Sequence, residues 1–372
     1  MKVVQIYKDY YPPVKGGIEG HINLLAHGLK ENGIEVQVLV SNTRNRLQTE
    51  EIDGIRITKV PQLVRLSSAP INPTLHLWLQ KLGQKADVLH FHLPNPSSVM
   101  AFLCCSGLNG KVIATYHSDI VRQKWLGKMY APFLHLFLKK ADTIIATSPN
   151  YIKLSRVLSA FQDKCVVIPL GIDTARFELT LADAEMLNTL KKRYGKAVIL
   201  FIGRFRYYKG LHILIDAMQK VDANLLLIGA GLLENQLRRQ VAEKNLQDRI
   251  HFLGELSDEQ VNVYLKSCDV FVLPSIYKSE AFGIVQLEAM ACGKPVVCCE
   301  LGTGTSFVNR HQKTGLVVCP EDPEALSESI NFLLADKDIR TSFGKAGCQR
   351  VINHFTGDKM IRDTIGVYRN LT

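Results

Sequence analysis

The chain has 372 residues, 47% of them hydrophobic and 22% charged, the composition of an ordinary globular protein of two domains at roughly 150 residues each. No apolar run approaches the ~20 residues of a membrane span, and Met1-Lys-Val-Val-Gln-Ile-Tyr7 lacks the apolar segment of a signal peptide, so a cytosolic location is expected. Net charge is +10 and uneven: residues 1–170 carry 20 Lys and Arg against 11 Asp and Glu, residues 171–372 carry 25 against 24. A basic first half would attract anionic lipid, nucleic acid or a phosphorylated acceptor.

In chain order, residues 3–7 form an apolar strand. It runs through a long loop containing Gly16-Gly17-Ile-Glu19 into an amphipathic helix that ends near Gly33. Paired glycines between strand and helix suit close approach to a phosphate, though a plain flexible turn reads the same way. Residues 34–40 and 55–60 are strands, with a polar loop expected at 43–50 and a helix at 75–82. Residues 86–92 form a strand closed by the turn Leu93-Pro-Asn-Pro96. His90 and His92 share one face at period 2, but spacing offers no third ligand, so no metal site is expected. Residues 111–116 form a strand that delivers His117-Ser-Asp119 to its carboxyl end, where ligands bind in open α/β sheets. In the segment from Arg122 to Lys140, basic residues alternate with Trp125 and a Leu/Phe cluster. That pattern fits a helix lying on a membrane surface, or a core-packed helix with solvated lysines.

Strands follow at 143–147 and 166–171, and the charge balance shifts near 170–180, which places the domain junction there. The alternation then restarts. A helix at 183–194 precedes a strand at 197–203, which leads to Arg204-Phe-Arg-Tyr-Tyr-Lys209-Gly210. Two cations after a strand's carboxyl end suit a diphosphate, although either alone is also an ordinary solvated side chain. A strand at 223–229 ends in the lone Gly229-x-Gly231, weak evidence for a nucleotide. A helix at 233–245, a strand at 250–253 and a helix capped by Ser257 follow.

Residues 268–299 organise this half as strand, loop, helix, strand. The loop carries Glu280 and Gly283; the helix opens near Ile284, carries Glu288 and stops at Gly293. A helix start suits phosphate, and carboxylates beside it suit sugar hydroxyls, so this unit is expected to hold a nucleotide-diphosphate sugar, although a strand-loop-helix with two surface glutamates also occurs in many α/β proteins. Glu300-Leu-Gly-Thr-Gly-Thr-Ser306 is a second glycine-rich loop, expected to close over the sugar. A strand at 315–318 and helices at 322–336, 339–354 and 358–369 complete the chain; Asp336-Lys-Asp338 reads as a helix cap. Nine cysteines without a Cys-x-x-Cys spacing read as free thiols.

With these residues in order, the chain resembles the retaining GT-B glycosyltransferases of family four over nearly its full length. The most specific match is Glu280-Ala-Phe-Gly-Ile-Val-Gln-Leu-Glu288-Ala-Met-Ala-Cys-Gly-Lys-Pro-Val; the Gly16-Gly17, Gly203-Arg204…Lys209-Gly210 and Leu170-Gly-Ile-Asp173 segments follow the family's order. The resemblance implies an α/β fold of two Rossmann-like doubly wound sheets facing across a cleft. The acceptor domain would be 1–172, the donor domain 173–354, and a helix in 355–372 would cross back to the first domain. It implies that Glu280 contacts the donor sugar and Glu288 the ribose. Arg204 and Lys209 would hold the diphosphate, with the backbone of Gly16, Gly17, Gly283, Ile284 and Val285, Phe282 lying among them. His117 would bond the donor sugar, and the base would rest near Gly229, Gly231 and Leu253.

No cofactor, metal or nucleic-acid partner is expected, since the two cations would do a metal's work on the leaving diphosphate. Tyr116-His-Ser-Asp-Ile-Val-Arg-Gln123 resembles bacterial polysaccharide mannosyl- and rhamnosyltransferases. That implies GDP-mannose, with UDP-hexoses close behind, and a lipid-linked or glycan acceptor at the inner membrane face. A nucleotide-sugar epimerase is the nearest alternative. A nicotinamide dehydrogenase lacks the rest of its glycine fingerprint, and a non-catalytic polyanion binder leaves Glu280, Glu288, Arg204 and Lys209 unexplained.

Overall fold

The computed structural model describes residues 1–372 except 13, 15, 67–68, 121–123 and 179. Two compact units result: Met1–Gly171 with Gly357–Thr372, and Ile172–Thr356. The first holds β1 (Lys2–Ile6), β2 (Glu35–Ser41), β3 (Gln48–Ile52), β4 (Ile55–Val60), β5 (Val64–Leu66), β6 (Ala69–Ile71), β7 (Val88–Leu93), β8 (Lys111–Tyr116), β9 (Thr143–Ala146) and β10 (Cys165–Val167). Its main sheet runs β10-β9-β8-β7-β1-β2-β4-β3, parallel except for the β3–β4 pair. All six residues of β7 are buried, as expected of a parallel strand covered on both faces.

Two readings are corrected here, and one helix is added. The polar loop expected at 43–50 is partly strand: β3 pairs antiparallel with β4 through Asp53-Gly54, both at positive φ (50° and 73°). Asp-Gly is a favoured hairpin turn, and a polar strand is tolerated at a sheet edge. The turn read at Leu93-Pro-Asn-Pro96 opens the helix Pro96–Leu103, where the Asn95 side chain accepts from Ser98 N and Pro96 takes the first helical position. The strand expected over 166–171 ends at Val167, two residues before Pro169.

The helix Gly17–Glu31 buries Ile22, Leu25 and Leu29 in one core with Met360, Ile361, Ile365 and Tyr368 of the helix Gly357–Leu371. Gly28 permits that approach, since a Cβ there would lie 2.2 Å from Ile361 Cδ1.

The second unit holds β11 (Val198–Ile202), β12 (Asn224–Ile228), β13 (Ile250–Gly254), β14 (Val270–Leu273), β15 (Val296–Cys299) and β16 (Gly315–Val318). Its sheet runs β13-β12-β11-β14-β15-β16, entirely parallel. Strand order reverses between β1 and β7 in the first sheet and between β11 and β14 in the second. Those reversals open crevices at the strands' carboxyl ends, where such sheets bind ligands. Asp336 caps the helix Lys337–His354 by accepting from Asp338 N and Ile339 N, and all nine cysteines are free.

Candidate functional site

In the second unit, the loops after β11 and β14 are tied together at the reversal. Ile276 N donates to Tyr208 O (2.8 Å). Gly210, at φ +67°, packs so closely that a Cβ would sit 1.9 Å from Pro274 O. This fastening brings Lys209, from the 3₁₀ turn Tyr207–Lys209, onto Glu280: Nζ lies 2.5 Å from Oε2, with the side chains 11% and 10% exposed. Ser275 Oγ donates to the same carboxylate oxygen (2.8 Å), and Thr303 Oγ1 donates to Glu280 O (2.7 Å). Burial works against the Lys209 ammonium, but Glu280 and the Tyr208 phenol beside it outweigh that, so its pKa is raised.

The glycine-rich loop expected at 300–306 is partly helical. Gly304 opens the helix Gly304–Val308, and its N–H donates to Ala281 O (2.7 Å), so the segment clamps the Glu280 loop. Gly283 sits at φ +73°, tight against Leu273 and Gln286, and Phe282 is buried beside Gly304. The helix opened by Ile284 is only seven residues, Val285–Ala291. Glu288 stands apart from Glu280's partners. Its Oε1 is 4.0 Å from Arg176 Nη1, and burial pushes its pKa up while Arg176 pulls it down.

Arg204 is exposed on the loop after β11. Gly229 and Gly231 face that loop's backbone: a Cβ at Gly229 would lie 2.3 Å from Gly203 O, and one at Gly231 2.5 Å from Phe205 O. Their immediate role is to let the Gly203–Arg204–Phe205 turn lie flat across β12's end. Leu253 is part-buried in β13.

In the first unit, Gly16 caps the helix Gly17–Glu31 with extended backbone (φ −169°). His117 follows β8, its N–H donating to Leu93 O (2.9 Å). Asp119 braces the turn, accepting from Tyr116 OH and Ser155 Oγ (both 2.8 Å). His90 and His92, which spacing left without company, meet two more imidazoles. Ring nitrogens of His21, His92 and His117 lie within 4.8 Å of one another, all buried. Arg122 and Gln123 lie outside the described residues.

The model of glycosyl transferases group 1 matches residues 183–350, and that of Glycosyltransferase Family 4 matches residues 15–176. The chain is 35% identical to O-antigen chain mannosyltransferase C of Escherichia coli over 371 residues, covering 100% of this chain and 99% of that one. The chain belongs to glycosyltransferase family 4. A second relative of this family-4 glycosyltransferase is D-rhamnosyltransferase WbpZ of Pseudomonas aeruginosa, 35% identical over 357 residues (96% and 92% of the two chains). Among solved structures, sucrose-phosphate synthase from Thermosynechococcus elongatus superposes with a TM-score of 0.82 at 26% identity, covering 100% and 98% of the two chains. The fold is GT-B, two parallel-sheet α/β domains.

Sequence reasoning missed several residues of these candidate sites. Ser275 had a usable signal, since it follows β14 at its carboxyl end. Thr303 belongs to the 300–306 loop already expected to close over the sugar, whereas Arg176, His21 and Gln5 had no such signal, because sheet order and helix packing alone bring them in.

Proposed function

We propose that this glycosyltransferase moves mannose, with retention at the anomeric carbon, from GDP-mannose to a lipid-linked or glycan acceptor in cell-surface polysaccharide synthesis. The observation that carries the donor-site reading is the buried Lys209–Glu280 pair at the second sheet's reversal. The two full-length relatives, an O-antigen mannosyltransferase and a D-rhamnosyltransferase, support the sugar class. In this reading Glu280 orients the sugar hydroxyls and Glu288 the ribose. Lys209 and Arg204 face the diphosphate as its negative charge grows in the transition state, without a metal. The leaving phosphate takes the acceptor's proton. Phe282, Gly283, Ile284 and Val285 line the diphosphate, with Gly229, Gly231 and Leu253 beside the base. The first unit with the 357–371 helix serves the acceptor, and the second the donor.

Among the described residues no helix is long and apolar enough to cross a membrane. The helix Lys124–Lys140 nonetheless shows solvent a single stripe of Trp125, Leu126, Met129, Phe133 and Leu136, while Tyr130, Leu134 and Phe137 face the core. Lys128, Lys139 and Lys140 are exposed along the same helix. We assign this stripe to an anionic membrane surface, placing the enzyme against the inner leaflet beside a lipid-linked acceptor. Vesicle co-sedimentation should weaken with salt and with Trp125→Ser; binding insensitive to both would remove the assignment.

Thermal unfolding with GDP, UDP and ADP tests the donor. GDP should stabilise most, by an amount set by ligand concentration over Kd, and NMR of the mannosylated product should show the donor's anomeric configuration. Preferential stabilisation by UDP would transfer the reading to a UDP-hexose. Free sugar product without acceptor would favour an epimerase.

A further inference from the structure

His117 ends a row of buried side chains that begins on β1. Gln5, His92 and His117 are at most 3% exposed. Gln5 Oε1 lies 3.2 Å from His92 Nε2, and His92 Nδ1 lies 3.1 Å from His117 Nε2. Sheet register explains the row. Gln5 pairs with His90 across β1 and β7, so His92 sits one step on along the same face, and His117 follows the end of neighbouring β8. Burial lowers both imidazole pKa values well below the ordinary value, with nearby histidines adding to the effect. Each ring is therefore neutral at pH 7 and carries one N–H.

The protons can then be placed one by one. An amide oxygen only accepts, so His92 carries its proton on Nε2 and donates it to Gln5. His92 Nδ1 is then a lone pair, and it accepts from His117 Nε2–H. His117 Nδ1 is left as a lone pair, buried and without a hydrogen-bond partner. A buried acceptor in that state is costly until something donates to it.

We infer that Gln5 and His92 are positioning residues that hold His117 as its Nε2–H tautomer, so that Nδ1 accepts a hydrogen bond from a hydroxyl of the donor sugar. The inference rests on the reading of His117 as a donor-sugar contact, and it adds a selection rule to that reading. A hexose hydroxyl has a proton to give. A carboxylate in that hydroxyl's place has none and would meet a lone pair, so a donor oxidised to a carboxylate at the contacted carbon is refused. The orientation of one amide sets this polarity. Turning Gln5 over would place its N–H against His92, invert both tautomers and make His117 Nδ1 a donor. A divalent ion among His21, His92 and His117 is the competing arrangement. An ion bound through the nitrogens that now face each other, His92 Nδ1 and His117 Nε2, would displace that hydrogen bond, so the two cannot coexist there.

The test is long-range ¹H–¹⁵N correlation on full-length, ¹⁵N-histidine-labelled protein at pH 7.5, without ligand and with GDP-mannose. His92 and His117 are expected as Nε2–H tautomers, with the His117 Nδ1 signal moving when the sugar binds. In Gln5→Leu, His117 should become a mixture of tautomers and kcat/KM should fall roughly tenfold, the scale of one misdirected hydrogen bond. Affinity for bare GDP should stay unchanged, because GDP carries no sugar to be selected. Gln5→Glu, which can accept from His92, should restore most of the loss. A His117 Nδ1–H tautomer in the wild type overturns the inference. So does one equivalent of zinc that shifts these signals on chelation, or a Gln5→Leu variant with unchanged tautomers and rates. If the tautomers are as stated and His117→Ala still turns over at the wild-type rate, the row is real and the donor-contact reading is what fails.

Discussion

Lys209 and Glu280 make the sharpest demand on solution behaviour. Nζ and Oε2 are 2.5 Å apart, and the side chains are about nine-tenths buried. At an effective dielectric of about 20, their attraction is roughly 7 kcal/mol. Desolvating both ions takes back several kcal/mol, so the pair's net worth is small while the coupling between its members is large. Lys209→Met keeps the volume and leaves Glu280 on the Ser275 hydroxyl alone; Glu280→Gln leaves a buried ammonium beside an amide. Each single variant should cost about 3–5 kcal/mol, the scale for stranding one buried charge. The double variant strands neither, so it should cost less than the sum of the two by at least about 2 kcal/mol. Urea unfolding of the four proteins at pH 7.5, followed by far-UV circular dichroism, closes the cycle. The folded pKa of Lys209 is raised above its ordinary 10.5. The pair's contribution is therefore full below that value and is lost as pH rises through the folded pKa, so the coupling should shrink in strong alkali. Single effects that add to within about 0.5 kcal/mol would refute a closed pair. Both single variants should also lower kcat/KM at least about 100-fold if the pair serves the leaving diphosphate.

Acid should open the first unit before the second. Burial lowers the pKa of His21 to about 4 and of His90 to about 3, and holds those of His92 and His117 well below the ordinary 6.5. Depressed histidine pKa values confer stability that is present above pH 6.5 and lost as pH falls toward 4. Four such groups imply a slope of roughly 5 kcal/mol per pH unit below pH 6. Trp78 and Trp125 both lie in the first unit, so their fluorescence in urea reads it out; a slope below about one proton contradicts the buried cluster. Gly229→Ala, at φ +123° with its Cβ aimed at Gly203 O, should displace the Arg204 loop and depress kcat/KM while leaving far-UV circular dichroism intact; normal turnover would show the loop does not depend on that contact. Burial raises the Glu288 pKa above its ordinary 4.5, so the favourable contribution belongs to low pH and is lost as pH rises through the folded value. Glu288→Gln should therefore stabilise the protein progressively from pH 4.5 to 7 in thermal melts, and raise the donor KM roughly tenfold if the ribose contact holds.

What could be read before folding follows from which forces are local. Buried parallel strands are continuous apolar runs, so β1, β7, β8, β11 and β14 were visible as strands, and the residues just past them as candidates for chemistry. The polar edge strand β3 was hidden because its stabilising partner is β4 and its own residues are hydrophilic; the Asp53-Gly54 turn was the one local clue. The Lys209–Glu280 contact is a different kind of fact. It exists because β11 lies beside β14, and no spacing rule states that order. Gly229-x-Gly231 carries a packing role that its spacing does not state: a Cβ at either glycine would strike the Gly203–Phe205 backbone. Tertiary order therefore determines which of the legible residues can act together. The proton placement from Gln5 to His117 depends on it entirely, since three strands must align before one amide can fix a tautomer two rings away.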